Sequence, residues 1–214
     1  LLDAGICTCA QGKYIYRKAT SDAEYGIASE ILRLMKGDVT ERDYTDDIYF
    51  FENQKHMRLA PEQRKAVKTS LSSPFSLIIG GPGTGKTTIE QFIISVFRRH
   101  SKEKVLLVAP TGKAARRMSE STGEPANTVH KALGVSAGEE VISTDVVLDA
   151  GLILVDEASM LDAQVCFALF KAVRTGAQLI LIGDTNQLPS VGAGNVLFEL
   201  IGSGQVPVTA LETV

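Results

Sequence analysis

Residues 77–88 read LIIGGPGTGKTT, an apolar run that passes into a glycine-rich loop and then into a helical pattern. The spacing Gly80-x-x-x-x-Gly85-Lys86-Thr87 is that of a phosphate-binding P-loop, in the strand–loop–helix context that the motif requires. Glycines let backbone N–H groups approach a polyphosphate, and the helix N-terminus adds the positive end of its dipole. A turn that binds nothing needs neither this spacing nor the Lys-Thr pair, so the stretch predicts a nucleotide-binding protein.

The P-loop assigns roles to individual side chains. Lys86 is expected to reach the β- and γ-phosphates, and the Thr87 hydroxyl is expected to be a ligand of Mg²⁺. The other residues predicted to contact the nucleotide from this loop are Gly81, Pro82, Gly83, Thr84, Gly85 and Thr88.

Composition restricts the class of protein. At 214 residues, with 44% hydrophobic and 22% charged residues, the chain suits one α/β domain of ordinary globular composition. We find no apolar run of about 18 residues and no secretory signal, and the three cysteines lack a metal-ligand spacing. These features predict a cytoplasmic protein with no membrane partner. The net charge of −3 gives no global basic field for nucleic acid, although it still permits a local groove.

Apolar strands alternate with helices after Pro74. Further strands are expected at 105–109, 152–155 and 178–182, with helices near 113–120, 161–173 and 195–201. Near-continuous apolar strands separated by helices are typical of a parallel sheet that is buried on both faces. The predicted fold class is therefore α/β, with a parallel sheet flanked by helices.

The N-terminal part has a different pattern. A strand-like stretch at 14–16 precedes a helix that is expected to begin at Ser21 or Asp22 and to end at Gly37. The acidic stretch 38–52 favours a solvated helix face or a linker over a metal site. Pro61 is suited to the first position of another helix. We therefore expect a small N-terminal helical segment over 1–55 and the main domain over 56–214.

Two further strands end in polar residues. Asp156 and Glu157 follow the strand 152–155, at the sheet edge where parallel α/β proteins bind ligands. With a P-loop in the same chain, Asp156 is predicted to hold Mg²⁺ together with Thr87, and Glu157 to act as general base toward the attacking water. Gln187 follows the strand 178–182 and is predicted to donate to a γ-phosphate oxygen and to report hydrolysis to neighbouring groups.

These motifs together resemble those of superfamily 1 DNA helicases, and most of all the RecD-like helicases related to the exodeoxyribonuclease V alpha subunit. The resemblance covers 56–214 well and 13–35 more loosely. The motifs that carry it are, in chain order, Gln63, residues 80–88, residues 108–115 (VAPTGKAA), residues 128–130 (TVH), residues 156–162 (DEASMLD) and residues 183–197 (GDTNQLPSVGAGNVL).

The resemblance implies a RecA-like P-loop NTPase domain that uses ATP and Mg²⁺ to move on single-stranded DNA and to open duplex junctions, with 5′→3′ polarity, in DNA repair or recombination. Gln63 matches the family glutamine that reads the adenine edge. The positions that match the single-strand contact motifs are Pro110, Thr111, Lys113, Thr128 and His130. For Arg116 and Arg117, a strand contact and a solvated basic face remain equally open.

The resemblance also implies a second RecA-like domain of the same parent chain, which supplies an arginine worth about 10³–10⁵ in rate. This chain stops about where that domain is expected to begin, so the isolated 214 residues are expected to be weakly active at best. Three alternatives stay open at this point: a conjugative relaxase-type helicase module, an AAA+-like ATP-dependent switch or loader without motor activity, and a scaffold subunit without turnover.

Overall fold

The computed structural model describes residues 6–10, 14–40, 42–135, 145–187 and 190–212. The strands are β1 (Cys7–Ala10), β2 (Tyr14–Arg17), β3 (Phe75–Gly80), β4 (Val105–Ala109), β5 (Ala126–Thr128), β6 (Leu152–Val155), β7 (Gln178–Gly183) and β8 (Val208–Leu211). The helices are α1 (Lys18–Met35), α2 (Thr45–Gln54), α3 (Pro61–Leu71), α4 (Lys86–His100), α5 (Gly112–Thr122), α6 (Val129–Ala132), α7 (Ala163–Ala172) and α8 (Val196–Ser203). A short 3₁₀ helix covers Ala158–Met160.

Six strands form one sheet in the order β5-β4-β6-β7-β3-β8, and the described neighbours all pair in parallel. The carboxyl ends of these strands therefore lie along one edge, and the loops that follow them meet there. A separate two-stranded antiparallel hairpin, β1-β2, leads into α1. The predicted α/β class with a parallel sheet is confirmed.

Both faces of the sheet are buried, and alternate residues of one strand enter opposite halves of the core. In β6, Ile153 and Val155 join a cluster with residues of α1, α7 and α8, whereas Leu152 and Leu154 join a cluster with residues of α2, α3 and α4. A strand with both faces covered needs apolar residues at every position, which explains the continuous apolar runs in the sequence.

The N-terminal predictions need correction. Helix α1 begins at Lys18 rather than at Ser21 or Asp22, and it ends at Met35, just before Gly37. Ser21 is buried inside the helix, so its side chain is not at a cap. Helix α1 contributes Ile27, Ile31 and Leu34 to the core beside α7. The division of the chain at residue 55 stays a prediction.

The acidic stretch 38–52 is not simply solvated. It contains most of α2, in which Asp47 and Glu52 are buried and paired with basic side chains. Pro61 does occupy the first turn of α3 as expected. The sequence reasoning missed β5 and β8, which are short strands of three and four residues at the two edges of the sheet. Among the described residues, no helix combines the length and apolar character needed to cross a bilayer.

Candidate nucleotide site

The loop between β3 and α4 has the backbone that its glycines predict. Gly83 and Gly85 have φ values of 81° and 84°, in the left-handed region that residues with a Cβ rarely adopt. Thr84 is buried, and its hydroxyl donates to the Gly81 carbonyl at 2.9 Å, which closes the loop on itself. The loop is thus held in a fixed curve directly before the N-terminus of α4.

Lys86 lies inside this curve. Its ammonium donates to the carbonyl oxygens of Gly80 and Gly81 at 2.6 and 2.8 Å. Because these are backbone acceptors of the loop itself, the cation is already placed where phosphates would lie against the P-loop. Thr87 follows on the first turn of α4 and faces the cleft described below.

Gln63 is tied to the loop from α3. Its Oε1 accepts from the Ala60 N–H at 2.9 Å, and its Nε2 donates to the Thr84 carbonyl at 3.0 Å. A Cβ at Gly85 would come within 2.5 Å of the same amide nitrogen, so glycine is required there for the approach as well as for φ. Gln63 thus fixes the start of α3 against the P-loop, and its proposed contact with adenine stays a prediction.

Asp156 and Glu157 lie where β6 ends, and their backbone is unusual. Glu157 has a φ of 54°, a strained value for a residue with a side chain, and its N–H donates to Asp156 Oδ1 at 2.8 Å. Burial raises the pKa of the Asp156 carboxyl above its ordinary value, against the lowering effect of the Glu157 N–H. A buried carboxylate with a raised pKa is a group that a cation would stabilise in its ionised form.

A cleft of about 350 Å³ joins these groups to α5. The Thr87 hydroxyl and the Asp156 carboxylate line it, and these hard oxygen donors suit Mg²⁺. Among the described residues there is no group of three His, Cys, Asp or Glu side chains placed to hold a metal. Thr87 and Asp156 thus supply two oxygen donors at this cleft, and the Mg²⁺ that they are expected to hold stays a prediction.

Arg117 of α5 reaches the same cleft. Its guanidinium lies 3.9 Å from Glu157 Oε1, and 72% of its side chain is exposed against 21% for Glu157. Arg116, the preceding residue, pairs instead with Glu120 on the outer face of α5 at 2.8 Å. The sequence could not distinguish the roles of these two arginines, but the structure gives them different surroundings.

Gln187 follows β7 at the same edge of the sheet, but its side chain is exposed. Its N–H donates to the Asp184 carbonyl at 3.3 Å, and buried Asp184 accepts from the Asn186 N–H at 2.9 Å. The turn is thus organised by Asp184, which the sequence analysis did not single out. Leu188 and Pro189, which belong to the same motif, lie outside the described residues.

The residues predicted to contact a DNA strand gather at one corner. Pro110 and Thr111 follow β4, Thr128 ends β5, and the register pairs Ala109 with Thr128. The hydroxyls of both threonines cap helices, since Thr111 accepts from the Ala114 N–H and Thr128 from the Lys131 N–H, each at 3.1 Å. Lys113 is exposed on the first turn of α5, and His130 is half-buried on α6.

Glu90 is a buried acid that the sequence analysis missed. It lies on α4 one turn beyond Lys86, with 1% of its surface exposed, and its Oε1 has no hydrogen-bond partner in the described part of the chain. Burial and the neighbouring Asp156 carboxylate raise the pKa of Glu90 to about 8. The signal that could have found it is a single charge between the apolar residues Ile89, Phe92 and Ile93 of a buried helix.

We expect Glu90→Gln to stabilise the protein in a pH-dependent way. The folded state keeps the proton on Glu90 up to about pH 8, whereas the unfolded chain loses it above its ordinary pKa of 4.5. Stability therefore falls as the pH rises between these values, and the amide removes this loss. Urea unfolding without nucleotide or Mg²⁺ should show a gain of about 2–4 kcal/mol at pH 8 and little at pH 4.5. Equal free energies of unfolding for the wild type and Glu90→Gln at pH 8 would contradict the raised pKa of Glu90.

The fold and the site together define a P-loop NTPase domain of the RecA-like class. A family model described as an AAA domain matches residues 63–193, more than half of the sequence. The chain belongs to that family. The matched range runs from Gln63 past Gln187 and therefore includes all the motifs from the P-loop to the turn after β7.

Curated relatives agree with the RecD-like resemblance, which is confirmed. The chain is 36% identical to the RecBCD enzyme subunit RecD of Haemophilus influenzae, over 87% of this chain and 33% of the relative. It is also 36% identical to the ATP-dependent RecD2 DNA helicase of Deinococcus radiodurans, over 94% of this chain and 28% of the relative. The chain thus spans about a third of the length of these proteins.

A solved structure has the same fold. The Pif1 helicase from Candida albicans superposes with a TM-score of 0.56 and 22% identity, over 74% of this chain and 40% of that chain. At this identity the likeness concerns the fold alone.

Proposed function

We propose that the protein is an ATP-dependent DNA helicase, in which residues 56–214 form the first of two RecA-like motor domains. One observation carries the proposal: the P-loop, the Asp156-Glu157 pair, the Gln187 turn and the strand-contact motifs all follow parallel strands at one edge of one sheet. Nucleotide and DNA would therefore bind to loops that share a rigid support. The names of the curated relatives support this function.

The nucleotide would bind through the P-loop. Lys86 would exchange its contacts with the Gly80 and Gly81 carbonyls for the β- and γ-phosphates, and Gln63 would bind the adenine edge. Thr87 and Asp156 would hold Mg²⁺, which supplies charge neutralisation to the phosphates when it is bound. The remaining loop residues would contact the phosphates through the backbone and the helix N-terminus.

Hydrolysis would rest on Glu157. Its carboxylate would accept a proton from the attacking water while the water oxygen bonds to the γ-phosphorus and the bond to the leaving ADP oxygen breaks. Gln187 would donate to a γ-phosphate oxygen and lose that contact after cleavage. Gln187 is exposed at the sheet edge, and there it would pass this change to a neighbouring domain.

Single-stranded DNA would bind at the corner formed by the ends of β4 and β5. Lys113, the N-terminus of α5 and the capped start of α6 would contact phosphates, which fixes the strand without reading its sequence. Closure of a second domain on ATP, followed by opening after hydrolysis, would move the strand in one direction, which we propose is 5′→3′. The second domain would also supply the arginine that stabilises the transferring phosphoryl group.

Steady-state ATP hydrolysis by the full-length protein, with and without an oligodeoxythymidylate strand, tests this function. We expect a rate that rises strongly with the strand and disappears in Lys86→Ala under both conditions. Hydrolysis that needs Lys86 but does not respond to the strand would favour the switch or loader over the motor.

A further inference from the structure

Helix α5 connects the two sites that the proposed function brings together. Its N-terminal turn carries Thr111 and Lys113 of the strand-contact motif, and one turn later Arg117 lies 3.9 Å from Glu157 Oε1. Residues four apart occupy the same face of a helix, so Lys113 and Arg117 point to the same side. A strand held by Lys113 would therefore lie close to the arginine that contacts the proposed general base.

Helix α5 is held at its start and along one side. The Thr111 hydroxyl caps its first turn, and Ala114, Ala115 and Met118 are buried against the sheet and α4. Lys113, Arg116 and Arg117 are exposed on the opposite side. A shift of the N-terminal turn on strand binding would thus be passed to Arg117 rather than absorbed within the helix.

The backbone of Glu157 is held by two hydrogen bonds, and its carboxylate lies 3.9 Å from the Arg117 guanidinium. Its N–H is bonded to Asp156 Oδ1, and its carbonyl accepts from the Met160 N–H at 3.1 Å. The carboxylate borders the cleft that Thr87, Asp156 and Arg117 also line. Side-chain rotation would therefore decide whether this carboxylate faces the nucleotide or the guanidinium.

We infer that Arg117 is a positioning residue that draws the Glu157 carboxylate toward α5, away from the attacking water, until a DNA strand binds along α5. Strand phosphates then compete for the guanidinium and release Glu157. This inference rests on the proposed function, because it assigns the link between its two sites. A long ion pair with a largely exposed arginine shifts an equilibrium by about fivefold at most, so strand binding can overcome it.

Arg116 provides a matched control. It is the same residue type on the same helix, with 82% of its side chain exposed against 72% for Arg117, and it pairs with Glu120 rather than with Glu157. Arg116→Gln and Arg117→Gln remove the same charge from α5, so only an effect specific to Glu157 separates them. Arg117→Lys keeps the charge and tests whether a cation at this position is sufficient.

The experiment measures kcat and KM for ATP in the full-length wild type and the three variants, without DNA and at saturating oligodeoxythymidylate. Fluorescence anisotropy gives the strand Kd of each, which establishes saturation. We expect Arg117→Gln to raise the strand-free kcat about three- to fivefold with KM within about twofold, and to reach the wild-type kcat with the strand. The strand-free kcat of Arg117→Lys should lie closer to the wild-type value, and that of Arg116→Gln should equal the wild-type value.

Each other outcome overturns the inference in a recognisable way. Suppose that the strand stimulates the wild type but that Arg117→Gln has an unchanged or lower strand-free kcat. That result would show that Arg117 does not restrain Glu157, and it would leave the proposed function standing. An equal rise in Arg116→Gln would show a general charge effect. A wild type that hydrolyses no ATP in either condition would overturn the proposed function and the inference together.

Discussion

Glu157→Gln should bind ATP with a Kd within about threefold of wild type and hydrolyse it at least about 10²-fold more slowly, the loss typical of a missing general base. The amide keeps the size of the side chain and its place in the cleft, but it does not accept a proton from water. Because the Glu157 backbone is set by its own N–H and carbonyl bonds, the substitution leaves the loop in place.

Nucleotide affinity from a fluorescent ATP analogue and turnover from phosphate release separate the two effects. Glu24→Gln, which removes an exposed carboxylate on α1, is the control for loss of one negative charge and should behave as wild type. Wild-type turnover in Glu157→Gln would remove Glu157 from the general-base role. A loss of affinity equal to the loss of turnover would make it a binding residue instead.

Glu52→Gln should lower the free energy of unfolding by about 2–4 kcal/mol, an estimate that allows for the solvent that reaches its arginine partners. Glu52 is fully buried, and it accepts from the Leu59 N–H at 2.8 Å and from Arg64 at 2.9 and 3.1 Å. Arg58 adds a further contact at 3.1 Å. These bonds anchor the end of α2 to the start of α3, the helix that carries Gln63.

The matched control is Glu30→Gln, which removes a carboxylate from the i,i+3 pair with Arg33 on α1. This pair is half-buried, with 20% of the Glu30 side chain exposed, and a single pair at this helix spacing should contribute less than about 1 kcal/mol to stability. Burial acts to raise the pKa of Glu52, but the Leu59 N–H and the two arginines outweigh it and lower the pKa below 4.5. The loss of unfolding free energy in Glu52→Gln should thus be complete above pH 4.5 and should shrink as the pH falls through the lowered pKa of Glu52. Equal losses of unfolding free energy in Glu52→Gln and Glu30→Gln would contradict the claim that Glu52 anchors α2 to α3.

The sequence predicted the parts of the fold that periodicity and short motifs encode. Strands β3, β4, β6 and β7 are continuous apolar runs, because both faces of the sheet are covered, and the glycines of the P-loop are required by their φ values. Strands β5 and β8 were missed because three or four edge residues of mixed polarity have no distinctive pattern. The start of α1 was misplaced because serine and aspartate favour caps locally, whereas the helix here begins directly after β2, where the Lys18 N–H donates to the Ile6 carbonyl at 2.9 Å.

The site was predictable only where a motif fixes it. Lys86, Thr87, Asp156 and Glu157 lie as expected around the end of the sheet, since each follows a strand that the sequence makes plain. Contacts between distant segments were not predictable in the same way. The pairing of Arg117 with Glu157 depends on how α5 packs against β4, the neighbour of β6 in the sheet. The sequence alone could not tell Arg117 from the adjacent Arg116, which pairs with Glu120.

The most direct test of the central claim is ATP-dependent strand separation by the full-length protein on a short duplex with a 5′ single-stranded tail, followed by fluorescence dequenching. The account predicts unwinding by the wild type, none by Glu157→Gln, and much less on a duplex with only a 3′ tail. ATP hydrolysis that responds to single strands without any strand separation on either substrate would contradict the claim that this domain belongs to a helicase.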